Sequence, residues 1–471
     1  MAAPSFVRVL LVVSALVMLA FVAFVSVPRA PGPHSYGAPL PQAPAAAPTP
    51  WVQALDFLPR DHVRDGTLDY TAYLQAALDA AGGGVLVLPP FPLRVSRVGD
   101  TGRCLIVRRP IEIRGAPGSQ LVETQGGVTL LRVEGARGVR LTGFALAGRG
   151  GRGTGLAHGL LHVADCEDVV VEDVTALDAD ADGIAIVDAR RVAVRGARAA
   201  RASRHGILLR ACQGAVVADC TVEGGTGHLG TDGSTFGAGI RAASCADVAI
   251  TGNVVRDGLG AGIVVDAEPG GASPTGCSVV ANRVTGWRNA TNPARSSGVL
   301  LGNAGQSRST RTLVSANVIE DCGDNGLRVE GQDGVSLLGN TVGPADRSAI
   351  YLGDARDAAV VGNVVRGPDA SRSGNQAGLH LGAGSTGVVA RGNRIEARVA
   401  APHAPAWREE PGAAGNSLEP QELRAATPPS SGLWSRGDVV WNSEPWPGAP
   451  LGWVCTSAGE PGLWSVLSRI E

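Results

Sequence analysis

Three titratable residues stand at the same place in three successive short repeats: His158-Gly-Leu, Asp182-Gly-Ile and His205-Gly-Ile. The next two repeats carry only Ala238 and Ala261 there. Two imidazoles flanking a carboxylate suit removal of a proton beside a substrate carboxylate, with His205 or His158 as base and Asp182 fixing the tautomer. Arg241 and Arg204 would neutralise the charge that develops on the substrate. Asp178 and Asp180 flank Asp182, and Asp266 lies in the coil after Arg241. Insertions at 224–236, with His228 and Asp232, and at 268–275 would wall a groove over this file, and Trp287 offers a flat face to a sugar ring. His158, Asp182, His205 and Arg241 are thus the expected catalytic set. Arg204, Asp180, His228, Asp232, Asp266 and Trp287 are the expected substrate-binding set.

The same residue types also serve plainer ends. A His beside a Gly turn on a β surface is usually only polar, and two imidazoles with a carboxylate could also hold a metal, although three generic ligands at strand spacing are weak evidence for one. The run Asp178-Ala-Asp180-Ala-Asp182 reads as a calcium loop or as a set of turn caps. No cofactor is expected, with calcium the one cation left open. His162 and His380 fall at other registers and read as solvated.

The elements that must position these residues are visible in the spacing. The markers continue through Ala238-Gly-Ile, Ala261-Gly-Ile, Ser297-Gly-Val, Asn325-Gly-Leu, Ser348-Ala-Ile and Ala377-Gly-Leu, with steps from 23 to 36 residues. A fixed minimum with variable excess is the signature of stacked coils whose turns accept insertions. A second column, Asn253, Asn282, Asn317, Asn340, Asn363 and Asn393, repeats in six successive coils and reads as a structural ladder. Between the markers run short apolar segments such as Val169-Val-Val171, punctuated by Gly and Asp, so the coils are β.

On these markers the chain resembles the right-handed parallel β-helix proteins of the pectate-lyase superfamily, over roughly residues 55–398. The leading segment strengthens the likeness. Leu74-Gln-Ala-Ala-Leu78 has helical spacing after Asp69 and Thr71, and Gly82-Gly-Gly84 leads into the strand Val85-Leu-Val-Leu88. The resemblance implies that this helix plugs the open end of the solenoid. The site register is similar to that of the polygalacturonases. It retains Asp182, His205 and Arg241, but has His158, Ala181 and Ala243 where that family carries an Asp, its general-acid Asp and a Lys. Inverting hydrolysis needs two carboxyls, so a lyase or C5 epimerase acting on a uronic-acid polymer is the better expectation. A non-catalytic carbohydrate-binding surface protein is the main alternative, and a hydrolase with a rearranged acid pair the second.

Composition narrows the partners. Among 471 residues there are 43 Asp plus Glu against 41 Lys plus Arg, for a net charge of -2, and no lysine at all. A phosphate-binding basic face is absent, so nucleic acid is not an expected partner, and lysine-based chemistry cannot operate. The expected partner is an extracellular or envelope polysaccharide. The eight cysteines lack metal-ligand spacing and read as small buried residues, with disulfides open to an exported chain. Residues 9–27 are apolar enough to cross a bilayer as a helix of about 28 Å, and read as a signal anchor or a signal peptide in residues 1–27. This apolar segment is the expected membrane contact, with the rest facing the periplasm or cell surface, or secreted after cleavage. The domain expectation is a Pro/Ala linker at 28–50, the β-helix at 51–398, a linker at 399–430 and a small Trp-rich β module at 431–471. That module holds five of the eight Trp, as a core or as a sugar-binding face.

Overall fold

The computed structural model describes residues 51–471 apart from 100, 152–158, 226–236, 289–295, 303–307, 344, 367–376, 397–406, 419–421, 431–433, 435 and 460. Each coil gives one strand to each of three long sheets of 14, 12 and 16 strands. Up to residue 442 the strands in the three sheets pair in parallel and in register, with one coil stacked on the next. The result is a parallel β-helix, as the marker spacing predicts.

Its interior is built from aligned apolar columns. In the 12-stranded sheet, Leu131, Leu161, Ile184, Ile207, Ile240 and Ile263 stack in register and all are buried. At about 4.8 Å per coil, like side chains pack like against like without voids. The Asn column turns the corner. Asn282 Nδ2 donates to Asn317 Oδ1 at 2.9 Å, and the Asn282 amide donates to the same oxygen at 2.9 Å. The pattern runs from Asn253 to Asn393. The residue before each Asn lies in the left-handed region, including Ala281 and Ala316 at φ 55°, so the turn tolerates that strain to aim the amide inward.

Helix Thr71–Ala80 closes the N-terminal end and buries Leu74, Ala77 and Leu78. Asp69 accepts the Thr71 amide at 2.9 Å, one residue ahead of the helix boundary. The other end departs from the expected domain plan. Strands Trp407–Glu409, Ser417–Leu418 and Glu422–Ala425 lie in the stretch expected to be linker, and they pair in register on the last coil of the solenoid. Val439–Asn442 then adds in parallel to the same sheet, and Pro450–Ser457 and Leu463–Arg469 finish it antiparallel. Short coils rich in Ala and Gly hide their strand period, which is why the extra coil reads as linker. The Trp-rich tail therefore continues the solenoid's sheet. Trp434 and Trp453 are buried in the core and Trp464 meets Trp434 edge-on at 5.0 Å, while Trp446 is 57% exposed.

The apolar run at 9–27 lies outside the described residues. Among those described, no helix is long and apolar enough to cross a membrane. All eight cysteines are buried and unpaired, in keeping with the core reading.

Candidate functional site

The expected residues fall on the outward face of the 12-stranded sheet, but they form sealed pairs. Asp182 and His205 do stack in adjacent coils. Asp182 is fully buried and accepts Arg204 Nε at 2.7 Å, a second Arg204 nitrogen and the His205 amide at 3.1 Å. His205 is 1% exposed, and its Nδ1 accepts the Ala238 amide at 3.1 Å. Burial, with the charges of Arg241 and Arg204, pushes its pKa far below the usual histidine value. The lone pair that a base needs is thus already occupied. Arg241 makes a two-pronged pair with Asp266, 2.9 Å on each arm, and also meets Glu268 at 3.1 Å. Burial raises the Asp266 pKa against the pull of Arg241.

The other members separate. His158, His228 and Asp232 lie outside the described residues. The register nevertheless corrects the file, because Gly159, not His158, pairs with Asp182. The shared x-Gly-apolar pattern aligns one residue out of step in that coil. Asp180 accepts the Gly127 amide, Asp178 pairs with Arg201, and Asp182 turns to Arg204, so the three carboxylates of the supposed calcium loop go to three different partners. Among the described residues no cluster of three metal-ligating side chains occurs. Trp287 is not a sugar platform. It is fully buried in the solenoid, donates Nε1–H to the Val255 carbonyl at 3.2 Å, and packs on Gly258 and Gly239. His162 and His380, expected to be solvated, are 7% and 4% exposed.

A second cluster on the same face was missed. The column that holds Arg241 continues upward, and in successive coils it carries Arg328, Tyr351, His380 and Arg408. Each of the first three stands three places after its coil's marker, as Arg241 does, so following that column instead of the marker would have found them. The Tyr351 and His380 rings meet edge to face, 5.1 Å apart at 84°. The Arg328 guanidinium lies over the Tyr351 ring at 5.7 Å. Arg328 Nη1 donates to Asp324 at 2.8 Å and Nε to Glu330 at 2.9 Å, and Asp324, fully buried, also accepts Ser297 Oγ at 2.9 Å. His380 Nε2 donates to Glu410 Oε1 at 2.9 Å, which leaves Nδ1 as the basic nitrogen, 3.2 Å from Ser348 Oγ. Burial lowers the His380 pKa, with Glu410 opposing and Arg408 and Arg347 adding to the drop. Burial and the charges of Glu330 and Glu410 raise the Tyr351 pKa. At neutral pH this is a neutral imidazole beside a protonated phenol, flanked by guanidinium groups. It reaches solvent at its centre as well as its rim: Tyr351 is half-buried, and the Arg347 and Glu410 side chains are 44% and 32% exposed.

Two family descriptions match parts of the chain: right-handed β-helix region over residues 153–303, and periplasmic copper-binding protein (NosD) over residues 270–418. The chain is similar in structure to the A-module of mannuronan C-5 epimerase AlgE4 from Azotobacter vinelandii, at 16% identity, TM-score 0.61, and 79% of this chain against 100% of that one. It is also similar to the Dettilon tailspike protein (16%, TM-score 0.58, 86% against 74%) and to the DFA-IIIase of Arthrobacter chlorophenolicus A6 (14%, TM-score 0.52, 75% against 95%). No curated protein matches in sequence. The chain folds as a right-handed parallel β-helix. Among the described residues of the second match the donors do not fit copper: the stretch has no methionine, His380 Nε2 is held by Glu410, and Cys277 and Cys322 are buried thiols with pKa values raised mainly by that burial, while His403 lies outside the described residues.

Proposed function

We propose that the protein is exported and acts on a uronic-acid-containing polysaccharide, as a lyase or C5 epimerase, at Arg328, Tyr351, His380 and Glu410. The observation that carries this reading is the half-open column in which a neutral His380 stands edge-on to Tyr351 with Arg328 on the far side. Arg328 and the more exposed Arg347 meet the substrate carboxylate. His380 Nδ1 takes the proton from the adjacent carbon once the substrate displaces Ser348 Oγ, while Glu410 holds the Nε2 proton and steadies the imidazolium that forms. Tyr351, kept protonated, returns a proton either to the departing glycosidic oxygen, which leaves an unsaturated end, or to the opposite face of the ring, which inverts the carbon.

The apolar run at 9–27, the partial match to a periplasmic family and the polymer-acting epimerase of the same fold support export and a polysaccharide substrate. The test is incubation of the purified protein with polymannuronate, polygalacturonate and neutral glucans, following unsaturated ends, epimer ratio and reducing ends together. Unsaturation or epimerisation is the expected result. Reducing ends alone would move the assignment to hydrolysis, and intact binding without any product would leave a carbohydrate-binding surface protein.

A further inference from the structure

Gly353 and Gly382 occupy the outward column next to Tyr351, in adjacent coils, with Glu330 one coil before them and Glu410 one coil after. Both are buried, and neither has a positive φ, so the backbone does not demand glycine at either place. What demands it is Tyr351. A Cβ on Gly353 would lie 2.8 Å from the Tyr351 hydroxyl and 3.0 Å from Cε1; a Cβ on Gly382 would lie 2.5 Å from the hydroxyl and 3.2 Å from Cε2. One edge of the phenol therefore rests over one coil and the other edge over the next, so the ring lies down on the sheet. The His380 ring, at 84° to it, stands up beside it. Trp287 shows the same device inside the solenoid, where a Cβ on Gly258 would come within 2.4 Å of the indole, but that ring is sealed in the core.

We infer that Gly353 and Gly382 make Tyr351 a flat stacking platform for one pyranose ring, bounded at its two ends by the Glu330 and Glu410 carboxylates. This rests on the proposed site and adds its substrate subsite. The ring turns one face outward, with the Arg328 guanidinium 5.7 Å from its centroid, and an aromatic face is the usual partner of the apolar C–H face of a sugar. The carboxylates at either end accept hydrogen bonds from ring hydroxyls. Alanine at either glycine would lift the ring and remove the platform while leaving the phenol, His380 and Arg328 in the chain.

The experiment is calorimetric binding of mannuronate, galacturonate and cellulose-derived tetramers to the full chain. Thermal unfolding serves as the folding control. Tyr351→Ala should weaken the tetramer that binds by about tenfold, Tyr351→Phe should keep affinity within about threefold, and Gly382→Ala should approach the Tyr351→Ala value. In a Tyr351→Ala background, Gly382→Ala should add nothing, because the glycine acts only through the ring. The platform is overturned if no tetramer binds the wild type, if Tyr351→Phe weakens binding as much as Tyr351→Ala, or if the Gly382→Ala effect persists without the tyrosine. Gly353→Ala repeats the test should Gly382→Ala fail to fold. Tyr351-dependent binding with no turnover of any polymer would overturn the proton-transfer reading alone. Turnover with unchanged affinity in Gly382→Ala would overturn the platform alone.

Discussion

Two stretches of one sheet face carry nearly the same residue types and do opposite things with them. In the coils from Asp182 to Glu268, the central groups close on one another and, Arg204 apart, are nearly fully buried: Asp182 with Arg204, Arg241 with Asp266, and His205 with a backbone amide. In the coils from Asp324 to Glu410, a buried Asp324 anchors Arg328, but the groups beyond it, Tyr351, Arg347 and Glu410, reach solvent. A buried ion pair returns most of its Coulomb energy to the desolvation that made it, so the first set holds coils in register and has little left for a ligand. The second set keeps part of its hydrogen-bonding capacity facing outward. Residue type alone does not separate a fastening from a site; the exposure of the central side chains does.

The comparison breaks most visibly if the sealed file proves catalytic. Asp182→Ala leaves the half-buried Arg204 without its counter-charge and the His205 amide without its acceptor, and should cost about 2–4 kcal/mol of stability in urea unfolding. Turnover per folded molecule should stay near wild type, and a stable variant without turnover would restore the file as the active site. Next comes His380→Gln, which should lower turnover by about a hundredfold or more while unfolding stays close to wild type. Burial lowers the His380 pKa, so the base stays neutral and the wild-type rate should persist below the ordinary histidine value of about 6.5. A pH–rate profile with its acid limb above that value would remove His380 from the role of base.

The smallest expected effect is on the acid side of stability. The pKa of His205 is depressed in the folded chain, so above about pH 6.5 the residue is neutral in both states and favours neither. Below that value the unfolded chain takes up a proton that the folded chain refuses, so stability falls as pH falls. Denaturation midpoints measured from pH 7.5 down to 5 should slope less in His205→Asn, which keeps an acceptor for the Ala238 amide. An unchanged slope would mean that His205 takes up its proton within the fold.

Much of the architecture can be read from residue order. The Asn column from Asn253 to Asn393, the x-Gly-apolar markers and the helix at Leu74–Leu78 each correspond to an observed element, because stacked coils force like residues to recur at like places. The site was less legible for two physical reasons. Gly159 displaces His158 from the file, since a pattern of small and apolar residues tolerates a one-residue slip that strand pairing does not. Tyr351 and His380 went unnoticed because their column is apolar at Val264 and Leu300 before it turns polar again, and a column is recognised only once the coils are stacked.

The winding into β coils is written in residue order, since a repeating apolar period and an amide ladder leave few other ways to bury so many short strands. Composition likewise makes every fixed positive side chain an arginine, there being no lysine. Only the tertiary structure decided which arginines and histidines are spent. Whether Arg204 closes on Asp182, or Trp287 turns inward, depends on which coil lies above and how much room its glycines leave. Those contacts join residues 22 and 32 positions apart, set by stacking and desolvation, and no local pattern in the chain encodes them.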